Sequence, residues 1–445
     1  MRRKSWVLFF ALVLSVSMIA GCSRGVEGDD TDVTGDSSSE QDAKDQVQNE
    51  EQEDAVELTV WGWDASFNGL AMEEADKLYE GAKINFVEMG KADCLQKIHT
   101  TLASGVTTDL PDIVIISDLA VQGYLMAYPG AFKPMDAVID YDTFAKYKKD
   151  MLSYEGVGYG VPFDTGVAGL FYRTDYIEEA GYTQEQMQDL TWDEYLALGE
   201  KLAENGKLLQ TYNSNDISEF QIMLQSAGTW YTDSSGQANF SENAALKESI
   251  DIFKRLNDSG FVKIASDWTG FTGAINGGEV ACVIRGSWIS SVIKAGEDQS
   301  GLWKVAPIPR LSVEGATNKS NQGGSSWFVL ADSKNADVAA DFLKNTFASS
   351  NELYNTLLTE KNIMGTYLPA ATVEAYGAED PFFGNMKVNQ TLATWLSEIP
   401  AVDTGVYTAE AQAAILAVMP GILDGDDVQS ALEAANDQFN QMVQE

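Results

Sequence analysis

The chain has 445 residues and carries 67 Asp and Glu against 29 Lys and Arg, a formal charge of −38. A surface this acidic repels nucleic acid and offers phosphate no basic footprint, which excludes nucleic-acid binding. A single histidine and three cysteines without a CxxC pair remove Ser-His and Cys-His catalysis and histidine-rich zinc sites, so neither metal nor cofactor is expected.

The chain opens with Arg2, Arg3 and Lys4, followed by an almost wholly apolar run from Trp6 to Ala20. That run is shorter than the roughly 20 residues of a spanning helix, so residues 1–21 read as an export signal. Ile19-Ala20-Gly21-Cys22 resembles the bacterial lipobox, in which the cysteine is lipidated and becomes the new N-terminus. An ordinary signal peptide with a chance cysteine is the alternative. Residues 22–55 then form an acidic tether, with twelve Asp and Glu after Cys22 and no aromatic residue. Such a stretch buries too little apolar surface to offset its ordering entropy. It spans roughly 30 Å as a flexible coil. Together these features predict a lipid-anchored protein on the extracellular face of the cytoplasmic membrane, most simply of a Gram-positive cell.

The 390 residues from Val56 onward exceed one ordinary core and suggest two lobes. Val56–Val60 alternates as a strand, Leu70–Tyr79 reads as a helix and Ile84–Val87 as a strand. Ala92–Ala103 is helical by the spacing of Leu95, Ile98 and Leu102, and His99 on it reads as structural. Asp112–Ile116 is a buried strand. This alternation predicts an α/β fold with helices on a mostly parallel sheet. Val167–Tyr172 begins a second such region, with a helix over Thr174–Ala180. Thr191-Trp-Asp-Glu194 is a capping box opening a helix that stops near Gly206. Ser241 is expected to cap a helix running to about Asn257, with Gly260 just past its end. Glu279–Ile284 is another buried strand, turned by Gly286 into a helix near Trp288. The tail from Thr408 is helical, with an interruption expected at Pro420-Gly421. Cys94 and Cys282 form either one disulfide or two buried thiols.

Several segments, in this order and spacing, resemble the extracellular solute-binding proteins of bacterial ABC importers, the family typified by maltodextrin-binding protein. They are Leu58-Thr-Val-Trp-Gly-Trp63 with Phe67-Asn-Gly-Leu70, Leu110-Pro-Asp-Ile-Val114 ending at Asp118, Tyr159-Gly-Val-Pro-Phe-Asp164 with Leu170–Asp175, Thr191–Glu194, Gly277–Ala281 with Gly286-Ser-Trp288, and Ala306-Pro-Ile-Pro309. The resemblance implies a type II periplasmic-binding-protein fold: a lobe of residues 56–164 plus 328–366, a lobe of 165–327 plus 367–445, and crossings near 163–165, 324–327 and 366–370. It also implies a monomer that catalyses nothing, captures a carbohydrate, closes by a hinge and docks onto membrane permease subunits.

A pyranose offers an apolar C–H face and a fringe of hydroxyls, which call for aromatic platforms and for carboxylates and amides. Trp63 and Asp64 follow the first strand, at the carboxyl end where open α/β sheets bind ligands. Asp118 ends the strand Asp112–Ile116, where the resemblance implies a sugar-binding carboxylate, with a helix N-cap as its alternative role. Asp164 faces the cleft from the first crossing. The resemblance makes Trp288, in Gly286-Ser-Trp288, the foremost stacking candidate, with Trp268 and Trp230 behind it. Gly324, in a run free of bulky side chains, lets backbone approach a hydroxyl, and Trp327 follows it. Tyr407 precedes the last helical region, where Trp395 is an alternative. Trp61, Trp192 and Trp303 read as core, and Arg285 either bonds hydroxyls or pairs with an acid. Rival readings are a non-sugar solute such as a polyamine, which uses the same acids and aromatics, and an extracellular glycoside hydrolase, which needs two carboxyl groups roughly 5–9.5 Å apart.

Overall fold

Two five-stranded sheets carry the two lobes in a computed structural model of the chain. It describes residues 56–444 apart from 107, 109, 215, 234 and 235. The export signal, Cys22 and the acidic tether lie outside the described residues.

The first sheet is ordered β2-β1-β3-β12-β6, from β1 (Val56–Gly62), β2 (Ala82–Glu88), β3 (Ile113–Ser117), β6 (Gly160–Pro162) and β12 (Ser325–Val329). The pairs β1–β2 and β1–β3 are parallel, so the carboxyl ends of all three strands share one edge. Strand β12 enters that edge antiparallel, with Ser325 opposite Ser117. A small hairpin of β4 (Ser153–Tyr154) and β5 (Val157–Gly158) stands apart. The second sheet is ordered β11-β7-β10-β8-β9, from β7 (Ala168–Arg173), β8 (Leu208–Asn213), β9 (Val262–Ala265), β10 (Val280–Gly286) and β11 (Trp303–Ala306). Here β8, β9 and β10 run parallel. The central strands β3, β7, β10 and β12 are covered on both faces, which is why β3 and β10 read as buried strands from their apolar runs.

Between the sheets, three segments lie side by side. Thr165 N–H donates to Met364 O at 3.0 Å and Thr366 N–H to Phe163 O at 3.0 Å, while Gln322 N–H donates to Gly166 O at 2.7 Å and Ala168 N–H to Ser320 O at 2.9 Å. The Asn321 amide oxygen accepts from Gly166 N–H at 3.0 Å and Thr165 Oγ1 at 2.9 Å. No side chain fits where these backbones meet. A Cβ on Gly166 would strike the Gln322 carbonyl and stand 3.1 Å from Trp288 Cδ1.

Local signals are borne out closely where they are self-contained. Thr191 and Glu194 make both halves of the capping box on the helix Trp192–Glu204. Three expectations need correction. The first helix is shorter, Leu70–Asp76. The long helix starts at Ala244 and is capped by Asn243, whose side chain accepts from Leu246 N–H at 3.1 Å, because Ser241 is held instead by Asn436. The helix Thr408–Leu423 runs through Pro420 unbroken, since Met419 and Ile422 remain buried on the same face and the proline forfeits only one bond near the end. The break falls at Gly425, φ 111°, before the helix Val428–Met442. Cys94 and Cys282 are both buried free thiols.

Gly166→Ala is expected to lower stability by about 1–3 kcal/mol, the usual cost of overpacking a filled site. A urea midpoint equal to that of the parent would show that the crossing tolerates a side chain.

Candidate functional site

The candidate side chains sit on the residues after β1 and β3, on the crossing, and on the residues after β9 and β10. Trp63 leaves β1 half-buried, and the Lys91 ammonium lies 5.5 Å from its ring centroid. Asp64 is exposed in the left-handed region, φ 55°. Its carbonyl collects the N–H groups of Phe67, Asn68 and Gly69 at 2.8–3.3 Å, and this turn leaves its carboxylate outside, where among the described residues it accepts from Ser66 Oγ alone, at 2.7 Å. Lys91 also donates to Ser117 Oγ at 3.3 Å. Desolvation lowers the Lys91 pKa, and the nearby Asp164 and Asp118 carboxylates partly restore it.

Asp118 is 1 % exposed, and its role is internal. Lys148 Nζ reaches Asp118 Oδ2 at 2.5 Å and Ser325 O at 3.0 Å, and Ser326 Oγ donates to Asp118 Oδ1 at 2.9 Å. The expectation that Asp118 offers its carboxylate to ligand is therefore corrected: Oδ2 is committed to the buried ion pair with Lys148 and Oδ1 to the Ser326 hydroxyl. Gly324 covers this pair. Its φ is +113°, and a Cβ there would lie 2.5 Å from Asp118 Oδ2 and 3.0 Å from Asp164 O. Asp164 is half-buried and accepts from Ser325 N–H at 2.7 Å. Burial raises its pKa; Lys148 opposes that rise and Asp118 adds to it.

On the other side stand two exposed tryptophans. Trp288 caps the helix Ile289–Lys294 just after β10, is 37 % exposed, and donates from Nε1 to Gln322 O at 3.1 Å, which fastens it to the crossing. Trp268 opens the helix Trp268–Asn276, capped by Asp267, and is 48 % exposed. The two ring centroids are 6.1 Å apart and inclined at 43°. Exposed indoles forfeit burial that a core position would supply, and a contiguous apolar patch rimmed by polar groups marks a contact surface.

Three other candidates lie elsewhere. Trp327 is corrected to core: it is 0 % exposed, with ring centroids 5.3 Å from Phe163 and 5.6 Å from Phe347. Trp230 is likewise buried, and its Nε1 donates to Thr408 Oγ1 at 2.9 Å, supporting the last helical pair from beneath. Tyr407 is half-buried, edge-on to Phe439, and lines a separate groove of about 710 Å³ with Gln122, Tyr154 and Val402. A smaller groove of about 420 Å³ runs from Lys91 and Ser117 to Glu410 and Gln412. Both grooves run between the helix Asp118–Ala127 and the segment 401–412. Val406 meets the helix Asp118–Ala127 between them, its carbonyl 3.5 Å from a Cβ built on Gly123. Arg285 pairs with an acid, at 2.8 Å from Glu219. Lys91 is the residue that sequence reasoning missed. Its only signal was a cation opening a helix straight after β2. Among the described residues no group of three or more His, Cys, Asp or Glu could hold a metal ion.

Residues 71–381 match the model of the bacterial extracellular solute-binding proteins. The lactose-binding protein of Rhizobium radiobacter is 42 % identical over 395 residues, covering 88 % of this chain and 94 % of that protein. The arabinooligosaccharide-binding protein of Bacillus subtilis is 25 % identical over 322 residues, covering 68 % and 71 %. The solved structure of the sugar-binding protein MalE from Xanthomonas citri superposes with a TM-score of 0.74 at 15 % identity, covering 87 % of this chain and 98 % of that one. The chain belongs to the bacterial extracellular solute-binding proteins, and its fold is the two-lobed type II arrangement.

Two measurements probe the acidic side of the crossing. Lys148→Met should destabilise by about 3–5 kcal/mol, because it strands a buried carboxylate, and adding Asp118→Asn should recover part of the loss. An additive double mutant would show that the pair is not coupled. Asp164 binds its proton more tightly folded than unfolded, so stability falls as pH rises from the ordinary carboxylate value through its raised value. Asp164→Asn should flatten that fall in a pH series of urea midpoints, and an unchanged slope would exclude Asp164 as its source.

Proposed function

We propose that this solute-binding protein is the lipid-anchored receptor of a carbohydrate ABC importer, with a short neutral saccharide as ligand and lactose as the first candidate. The single observation that carries this reading is the pair of exposed, adjacent indoles, Trp268 and Trp288, the second bonded to the Gln322 carbonyl of the crossing that Asp164 joins through Ser325 N–H. A flat apolar platform facing fixed acceptors suits a pyranose, with its C–H face and hydroxyl fringe. Trp63, Asp64 and Lys91 extend the polar wall, and the backbone at Gly323, where a Cβ would meet only Trp288 Nε1 at 3.9 Å, can approach a hydroxyl, whereas the space beside Gly324 is taken by the Asp118 carboxylate. The 42 % identity to a protein named for lactose supports that choice of first candidate.

Cys22 and the acidic tether would hold the folded lobes off the extracellular face of a Gram-positive cytoplasmic membrane as a monomer. The closed form then delivers its ligand to permease subunits. No bond in the ligand is broken. Ligand favours closure only through contacts made better in the closed form, and those contacts come from both lobes at once.

Lactose and a panel of mono- and disaccharides are the probes. A bound sugar should raise the thermal midpoint in proportion to its affinity. Titration should be nearly indifferent to salt, whereas a cationic ligand would weaken as salt rises. Trp288→Ala should weaken lactose binding by about 1–3 kcal/mol, the worth of a buried stacked indole. Full affinity in that variant would remove Trp288 from the site, and new reducing ends after incubation with oligosaccharides would overturn the non-catalytic reading.

A further inference from the structure

We propose that Phe271, Arg285 and Glu219 form a positioning stack that sets the tilt of the Trp268 indole and so the shape of the aromatic platform. The proposal rests on the reading that Trp268 and Trp288 receive the ligand. Trp268 and Phe271 are three residues apart on one helix, hence on one face. Their rings are stacked, with centroids 5.2 Å apart and an interplanar angle of 21°. Phe271 is 0 % exposed, and the Arg285 guanidinium carbon lies 4.8 Å from its centroid. The ring therefore joins an exposed indole to a buried cation.

Such a cation must be held firmly, because a planar guanidinium stacks on an aromatic face only while its own plane is fixed. Arg285 has that support. Its NH1 donates to Glu219 Oε1 at 2.8 Å and to Ile284 O at 2.9 Å, and NH2 stands 3.6 Å from Asp216 Oδ2. Glu219 in turn accepts from Gln210 Nε2 at 3.2 Å, and Gln210 accepts from Tyr195 OH at 2.7 Å. Arg285 is on β10, three residues before Trp288, so the same strand carries the guanidinium and leads into the second indole. A buried ion pair is weak grounds for stability, since an apolar pair of similar volume often does as well. Its use here is orientation: Trp268 is half in water, and among the described residues its ring is held by Phe271 and Trp288 alone, without a side-chain hydrogen bond.

The test compares Phe271→Leu, Arg285→Lys and Arg285→Met with the parent, each also in a Trp268→Phe background. Near-ultraviolet circular dichroism of the ligand-free protein is read alongside lactose affinity and the urea midpoint. Arg285→Lys keeps the charge beside Glu219 but not the plane. We expect Phe271→Leu and Arg285→Lys to fold, to change the tryptophan dichroism, and to weaken lactose binding about three- to tenfold. The dichroism change should vanish when Trp268 is Phe. Folded Phe271→Leu and Arg285→Lys proteins with the parent's dichroism and lactose affinity overturn the proposal, as does a dichroism change that persists without Trp268. If Arg285→Met fails to fold, the other two variants decide. Trp268→Ala, run in parallel, separates the two readings: full lactose affinity there overturns the platform as a ligand contact, while the dichroism difference still decides whether the stack orients the indole.

Discussion

Three backbones pressed together at the crossing are the constraint on which the rest of the site depends. The hydrogen bonds among residues 163–168, 320–325 and 364–366 form only if nothing larger than a hydrogen atom lies between them at Gly166, and only if Gly324 adopts a conformation that side chains resist. Once made, this ribbon sets where both sheets end. It brings the carboxyl edges of β1 and β3 to one side and those of β9 and β10 to the other, the place where open α/β sheets present their ligand contacts. Trp288 is bonded to the ribbon itself through Gln322, and Asp164 through Ser325.

Each lobe also buries one ion pair next to that edge: Asp118 with Lys148 under the crossing, and Glu219 with Arg285 behind the platform. Two such pairs cost desolvation that their mutual attraction only partly offsets. Both are completed by neutral hydrogen-bond partners, Ser326 and the Ser325 carbonyl for one, Gln210 and the Ile284 carbonyl for the other. A fully satisfied buried network is rigid and admits one arrangement. The outcome is a site whose polar groups divide into two kinds: carboxylates spent on holding the frame, and carboxylates such as Asp64 and Asp164 that retain contact with solvent.

That division was the part least legible in the sequence. The α/β alternation, the strands and the Thr191 capping box could be read directly, because apolar period and capping act within a few residues of each other. The two exposed tryptophans were also singled out, Trp288 through the family resemblance of Gly286-Ser-Trp288 and Trp268 through its small and acidic neighbours in Asp267-Trp-Thr-Gly270. Trp327 has the same glycine-rich approach and yet faces the core, because β12 lies inside its sheet and both of its faces are covered. Asp118 and Asp164 both end apolar runs and are indistinguishable locally. What separates them is Lys148, 30 residues beyond Asp118 and brought to it only by the tertiary fold. Arg285 was ambiguous for the same reason, with its partner Glu219 66 residues away.

The placement of the indoles relative to the crossing bears on how closure can be driven. A group fastened to a hinge moves little when the lobes rotate, and a group farther out sweeps a longer arc. Trp288, held by the Gln322 carbonyl, belongs to the first kind, and Trp268, one ring farther from the crossing, to the second. On the proposed reading, ligand contacts at Trp288 would be available in open and closed forms alike and would contribute affinity without bias. Contacts bridging from Trp268 to Trp63, Asp64 and Lys91 would form only as the lobes approach, and would supply the differential affinity that shifts the equilibrium. The inner indole would then select a flat apolar face and the outer one couple its presence to the closing motion. An outer ring set at the wrong tilt would uncouple capture from closure even while the inner ring still bound.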